Sequence, residues 1–413
     1  MSLTRVETIK NWFREHIRIP LGVVIAICIF PVILTALFYV LRSSRATMDW
    51  VVTYISSPIR SFFGLLSSIY PFAVMEILIT VAIIFLIYYI IKGIRDTSRR
   101  REKWKLRAKR FLPILVIACY LWGMFSWLWS SGYYATGFVE RYELFSDGVS
   151  REELFAAALM FASKANDLSE QVERDSDGNY DVDRRVMFTE SVDVYRNISQ
   201  DFPSLYGRLY APKPMLFSWL MSITGYSGMY FALTGESMVN TQPPVVFMPA
   251  TVAHEHAHQL GIFAEDEANL VAILACIKSD NITFQYAGYM SGLNYLLNAL
   301  YRNDDPTSNR PSNEWIQVVV RLSENVLRDR QETEQFWATR TTVRTGLNFL
   351  DRILTTVAET TYDAVNAIYD GYLKSQSQEL GIRSYGAFVD VLVGYFTEEA
   401  RAFLPVEQAQ AAS

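Results

Sequence analysis

Three apolar runs in the first third of the chain constrain what it can fold into more than any other feature. Residues 19–41 carry no charge over 23 positions, residues 72–91 carry only Glu76 over 20, and residues 111–130 carry none over 20. A helix rises about 1.5 Å per residue, so each run can cross a hydrocarbon core of about 30 Å. Buried core helices can be this apolar too, but three together, with aromatics near their ends, fit membrane spans better. The first run is preceded by basic residues, as a signal peptide would be. Its length and its lack of a small-residue cleavage site favour a retained anchor. Glu76 sits within the first turn and a half of its run, so it is expected to be a solvated acid at a helix end rather than a proton relay.

Charge orients these spans. Residues 92–110 hold ten Lys or Arg, whereas residues 42–71, between the first two spans, hold three. The positive-inside rule places the basic loop and the amino terminus in the cytoplasm, and three crossings put the rest of the chain outside. The sequence thus divides into a membrane region, 1–135, with spans at about 19–41, 72–91 and 111–130, and a second domain, 136–413. Net charge divides similarly, at +11 for residues 1–110 and −16 for the remainder. The basic part suits anionic membrane lipid, and the acidic part argues against a nucleic-acid partner. Cys28 and Cys119 lie within spans and Cys276 stands alone beyond them, so no disulfide framework is available to the second domain.

The second domain reads as mostly helical. Ser150-Arg151-Glu152-Glu153 forms a capping box that should open a helix reaching about Leu168. Helical patterns recur over 268–277, 288–301, 315–337 and 342–376, and the clearest loop is 303–313. Residues 228–240 read as one or two short strands with turns. The acidic stretch 175–181 has calcium-loop spacing, but Arg184 stands where the closing glutamate belongs, so a surface turn is expected. Residues 50–68, aromatic and interrupted by Pro58, suit either the membrane surface or partial re-entry into it.

Three of the four histidines in the chain fall within residues 254–258. In a helix, His254 and His258 share one face with their Cβ atoms about 5–6 Å apart, close enough to bind one ion. Glu255 lies at the rim of that face, within reach of a metal-bound water. This is the HExxH pattern of zinc hydrolases. His256 projects about 200° from His254 and cannot join, so a buried, hydrogen-bonded histidine or one facing a neighbouring element is expected. A catalytic zinc needs a third protein ligand, and Glu265, Asp266 and Glu267 are the candidates. In an unbroken helix Glu265 would lie about 10.5 Å further along the axis. The chain must therefore turn back, and Gly261 permits a left-handed exit from the helix. Asn269, four residues after Glu265, could accept the free ring N–H of His254 or His258, while Glu267 would point elsewhere. Imidazole and carboxylate ligands suit Zn2+ best.

With these residues in place, the HEHAH and E-x-E-A-N segments resemble the zincin metallopeptidases, in particular gluzincin-like groups whose third ligand is a glutamate opening a helix. More closely, the chain resembles an uncharacterised bacterial family of membrane-anchored HExxH proteins, described as a domain of unknown function. That resemblance runs through Lys213-Pro214, Gly228-Met229-Tyr230-Phe231, Thr234-Gly235-Glu236, the histidine motif, Tyr372-Leu373-Lys374 and Gly381-Ile382-Arg383-Ser384-Tyr385-Gly386. It implies an α+β, predominantly helical protein: transmembrane helices followed by a zincin-like metallopeptidase domain with a small sheet. It also implies His254, His258 and Glu265 as ligands and Glu255 as catalytic acid/base. Two departures stand out. The gap from His258 to Glu265 is shorter than in most gluzincins, and Asn269 replaces a common aspartate.

The expected function is zinc-dependent hydrolysis of a peptide or protein outside the cytoplasmic membrane. Tyr385, Arg383, Tyr286 and Tyr289 are candidate oxyanion donors, Tyr385 first among them, and the strand near residues 228–234 could pair with an extended substrate. The alternative is a zinc-binding membrane sensor, signalling protein or scaffold without general proteolytic activity. Neither reading specifies an oligomeric state.

Overall fold

The computed structural model describes residues 20–98, 103–145, 148–301, 310–342, 348–376 and 388–405. The described chain is predominantly helical. Its main helices are α1 (Leu21–Leu41), α2 (Arg45–Val51), α3 (Ser57–Ser68), α4 (Val74–Ser98), α5 (Lys103–Leu128), α6 (Arg151–Ser169) and α7 (Ser218–Thr224). They continue with α8 (Met248–Leu260), α9 (Glu265–Lys278), α10 (Ile282–Tyr301), α11 (Asn313–Val319), α12 (Glu324–Thr339), α13 (Asn348–Ser375) and α14 (Val389–Ala400). Three short strands complete it: β1 (Lys213–Pro214), β2 (Gly228–Phe231) and β3 (Glu236–Val239). The chain divides into two compact units, residues 1–56 with 78–135, and residues 57–77 with 136–413.

The first unit holds α1, α2, most of α4, and α5. Its three long helices are apolar enough to cross a membrane over Gly22–Leu41, Val74–Arg95 and Arg110–Leu128. Ile33, Val81 and Leu115 point outward and exposed, the arrangement that hydrocarbon solvates and water does not. The Trp127 indole donates to the Leu34 carbonyl at 2.9 Å and the Tyr120 hydroxyl to that of Ile27 at 3.1 Å. These bonds tie α5 to α1, and Phe38, Met48 and Val51 pack at one end.

The second unit is built around α6, α9, α10 and α14, which bury Phe155, Phe161, Ile273, Leu293 and Leu392. The expected capping box opens α6: Ser150 accepts from the Glu153 N–H, and the Glu153 carboxylate accepts from the Ser150 N–H. The expected helix over 315–337 is broken into α11 and α12, because Ser323 caps a new start at Glu324. The acidic stretch is a closed turn, with Asp175 accepting from the N–H groups of Asp177 and Asn179. Residues 57–68 form α3 and belong to this second unit.

The sheet has the order β1-β3-β2, with β1 parallel and β2 antiparallel to β3. All four β3 side chains are buried. Successive residues face opposite sides of a strand, and β3 uses both. Ser237 donates to the Glu255 carbonyl at 3.0 Å, on helix α8. Glu236 accepts from the Val74 and Met75 N–H groups, both at 2.9 Å, at the start of α4. Lys213 in β1 pairs with Glu236 at 2.6 Å and also donates to the Ser67 carbonyl. A carboxylate at a helix N-terminus is favoured by the helix dipole, and the lysine neutralises its charge where water cannot.

Glu76 corrects the sequence-based expectation of a solvated acid. It is buried, and its carboxylate accepts from the Leu216 N–H at 2.7 Å and the Phe217 N–H at 3.0 Å. The partners come from 140 residues away, so local position on the span gave no sign of them.

Candidate metal centre

Helix α8 carries the histidine motif, and Gly261 ends it. The glycine adopts φ 96° and ψ 21°, the left-handed conformation that a Cβ makes costly. Its N–H and that of Ile262 close the last turn onto His258 and Ala257. The chain then reverses and enters α9 at Glu265. Arg60 of α3 secures the exit: its guanidinium donates to the His258 carbonyl at 2.9 Å and lies over the Phe263 ring.

This reversal brings His254, His258 and Glu265 together, their nearest ligand-type atoms all within 4.8 Å of one another. Glu265 Oε2 lies 3.1 Å from His254 Nε2 and 3.6 Å from His258 Nε2. The opposite ring nitrogens are both engaged. His258 Nδ1–H donates to the Ile262 carbonyl at 2.7 Å, and His254 Nδ1 lies 2.9 Å from Asn269 Oδ1. Both partners are acceptors, so in the neutral rings the Nε2 lone pairs face the carboxylate. Asn269 thus contacts His254.

The remaining carboxylates separate by position. Burial alone would raise the Glu265 pKa; when the two imidazoles are protonated, their hydrogen bonds and charge outweigh burial and hold the carboxyl well below its usual range. Glu267 turns away and accepts from the Phe138 and Val139 N–H groups. Glu255 is buried, and burial pushes its carboxyl up to about 8, against the His254 imidazole and with help from the Glu265 charge. Its Oε2 has no hydrogen-bond partner among the described residues. A Cβ built on Gly228, at the start of β2, would lie 2.4 Å from Glu255 Oε1, so a side chain there would push this carboxylate aside.

His256 stands apart from the trio, as its spacing predicts. It is fully buried and lies 2.9 Å from Ser191 Oγ, and the Gln259 amide approaches its other nitrogen at 3.3 Å. Burial pushes its ring down to about 3, so it is neutral.

Tyr369 was missed. It arrives from α13, 104 residues after Glu265, and its hydroxyl donates to Glu265 Oε1 at 2.5 Å. The Tyr226 ring packs edge-on against it at 5.6 Å. No local pattern signals such a distant donor. Tyr385 and Arg383 lie outside the described residues. Tyr286 is committed elsewhere, donating to Asp329, and Tyr289 packs on Phe161.

Residues 52–393 match the family described as protein of unknown function DUF3810. No curated protein and no solved structure matches the chain.

Proposed function

Because the chain belongs to the DUF3810 family, which carries no assigned activity, we propose its function from the site itself: a membrane-anchored, zinc-dependent metallopeptidase. In this reading the second unit is a zincin-like domain on the outer face of the cytoplasmic membrane, and the amino terminus is cytoplasmic. One observation carries the proposal. Two imidazole lone pairs and one carboxylate oxygen converge, all within 4.8 Å of one another, while both Nδ1 atoms are held by acceptors. Such a cluster repels itself unless a cation or a shared proton lies among its members. A divalent ion satisfies all three at once, and two imidazoles with a carboxylate suit zinc.

His254, His258 and Glu265 would hold the ion, with Asn269, the Ile262 carbonyl and Tyr369 fixing their orientation. When bound, zinc supplies Lewis-acid chemistry, making water nucleophilic near neutral pH and polarising a carbonyl. Glu255 takes the proton from the attacking water and delivers it to the leaving amine. Its buried, unpartnered Oε2 suits a group kept for proton transfer rather than for structure. Gly228 brings β2 against Glu255, and β2 is an edge strand of the sheet, to which an extended peptide would pair.

A second reading draws on enclosure. His258, Glu265 and Glu255 are all at least 95% buried, which suits a closed zinc site in a membrane sensor or scaffold. Metal analysis of the purified protein, with a peptide library, separates the two. The peptidase reading expects about one zinc per chain, and Glu255→Gln should keep the metal while lowering kcat/KM by about 10²–10⁴-fold. Stoichiometric zinc in a wild-type protein that cleaves no peptide leaves the sensor. Absence of zinc after purification from zinc-replete cells removes both.

A further inference from the structure

The second unit exposes an apolar surface that its core does not need. Ile69, Tyr70 and Phe72 precede α4, and Leu216, Phe217, Trp219 and Leu220 surround the start of α7; all are exposed. Helix α13 adds a third segment. At about 100° per residue, its exposed residues Phe349, Leu350, Ile353, Leu354, Val357 and Ile368 fall in one arc of about 140°. Ala358, Tyr362, Asn366, Tyr369 and Leu373 occupy the next sector, the side that packs on the protein. Arg352, Glu359, Asp363, Asp370 and Lys374 fill the remainder. A helix with one packed, one charged and one exposed apolar side is incomplete in water.

We infer that this surface, the apolar side of α13 included, lies in the interfacial layer of the bilayer. Depth argues for lipid over a second copy of the chain. Glu76 sits in the first turn of the span Val74–Arg95, so it lies at the head-group level of any membrane that the helix crosses. The Leu216 and Phe217 N–H groups are bonded to its carboxylate and share that level. Ala73, Met75, Met215 and Met221 pack in one buried cluster beside them. Helix α7 in turn packs on α13: Tyr226, just after α7, donates to Asn366 at 3.3 Å. The three segments are therefore fixed to the point where the chain enters the membrane, and Tyr70 and Trp219 are the side chains that such a layer favours. The inference rests on no metal and stands apart from the peptidase reading.

Site-directed spin labelling of the full chain in phosphatidylcholine–phosphatidylglycerol vesicles tests it. Trp219→Cys and Ile353→Cys are each made with Cys28→Ser and Cys119→Ser; Cys276 is fully buried and stays. Leu115→Cys on α5 serves as the lipid reference and Asp167→Cys on α6 as the aqueous one. Labels at 219 and 353 should relax more with oxygen than with a water-soluble nickel chelate, as at 115 and opposite to 167. Nickel-dominated relaxation at both positions would overturn the inference, because the surface then faces water. Protection from both reagents would overturn it too, because a second copy or another protein then covers the surface.

Discussion

At the residue scale, the proposed centre depends on the hydrogen bonds that hold its candidate ligands as much as on those residues themselves. Glu265 offers one oxygen to the histidines and the other to Tyr369. Removing that hydroxyl frees the carboxylate to rotate without disturbing the fold. Tyr369→Phe should weaken zinc affinity by about 10–100-fold, read by competition with a chromogenic chelator, while far-UV circular dichroism stays unchanged. Equal affinity in the two proteins would show that the tyrosine does not position the ligand. The trio and Glu255 were legible in the sequence because they occupy only 12 positions, a span over which helical periodicity and one glycine determine geometry. Tyr369 and Arg60 were not, because contacts formed across 104 and 198 residues leave no trace in local spacing.

At the element scale, buried ion pairs decide how the small sheet is held. Lys213 and Glu236 are nearly inaccessible, and Glu236 also receives two N–H groups from the start of α4. Lys213→Met leaves a buried carboxylate without its counter-charge and should cost about 3 kcal/mol. Glu236→Ala strands the ammonium and both N–H groups, so it should cost more. Thermal unfolding in detergent measures both, and the reverse order would contradict this account. The long elements were readable from apolar run length and from the capping box at Ser150. The break between α11 and α12 was not, because Leu322 and Val326 are both buried and keep an apolar pattern running across the interruption. Glu76 misled for a related reason: acids near span ends are usually solvated, and here two distant N–H groups replaced the water.

At the scale of the whole molecule, the charge asymmetry predicts an orientation. In a bacterial host, fusion of a fluorescent protein after Ser98 should give a fluorescent product, and fusion of alkaline phosphatase after Ala135 an active one. The opposite pair of results would place the second unit in the cytoplasm. That unit also has a mechanical property that follows from two neighbouring residues. Glu236 holds the first turn of a helix apolar enough to cross a membrane, and Ser237 holds the carbonyl of Glu255. One short strand thus ties the start of an apolar helix to the backbone of the buried acid, so that a disturbance of β3 reaches both.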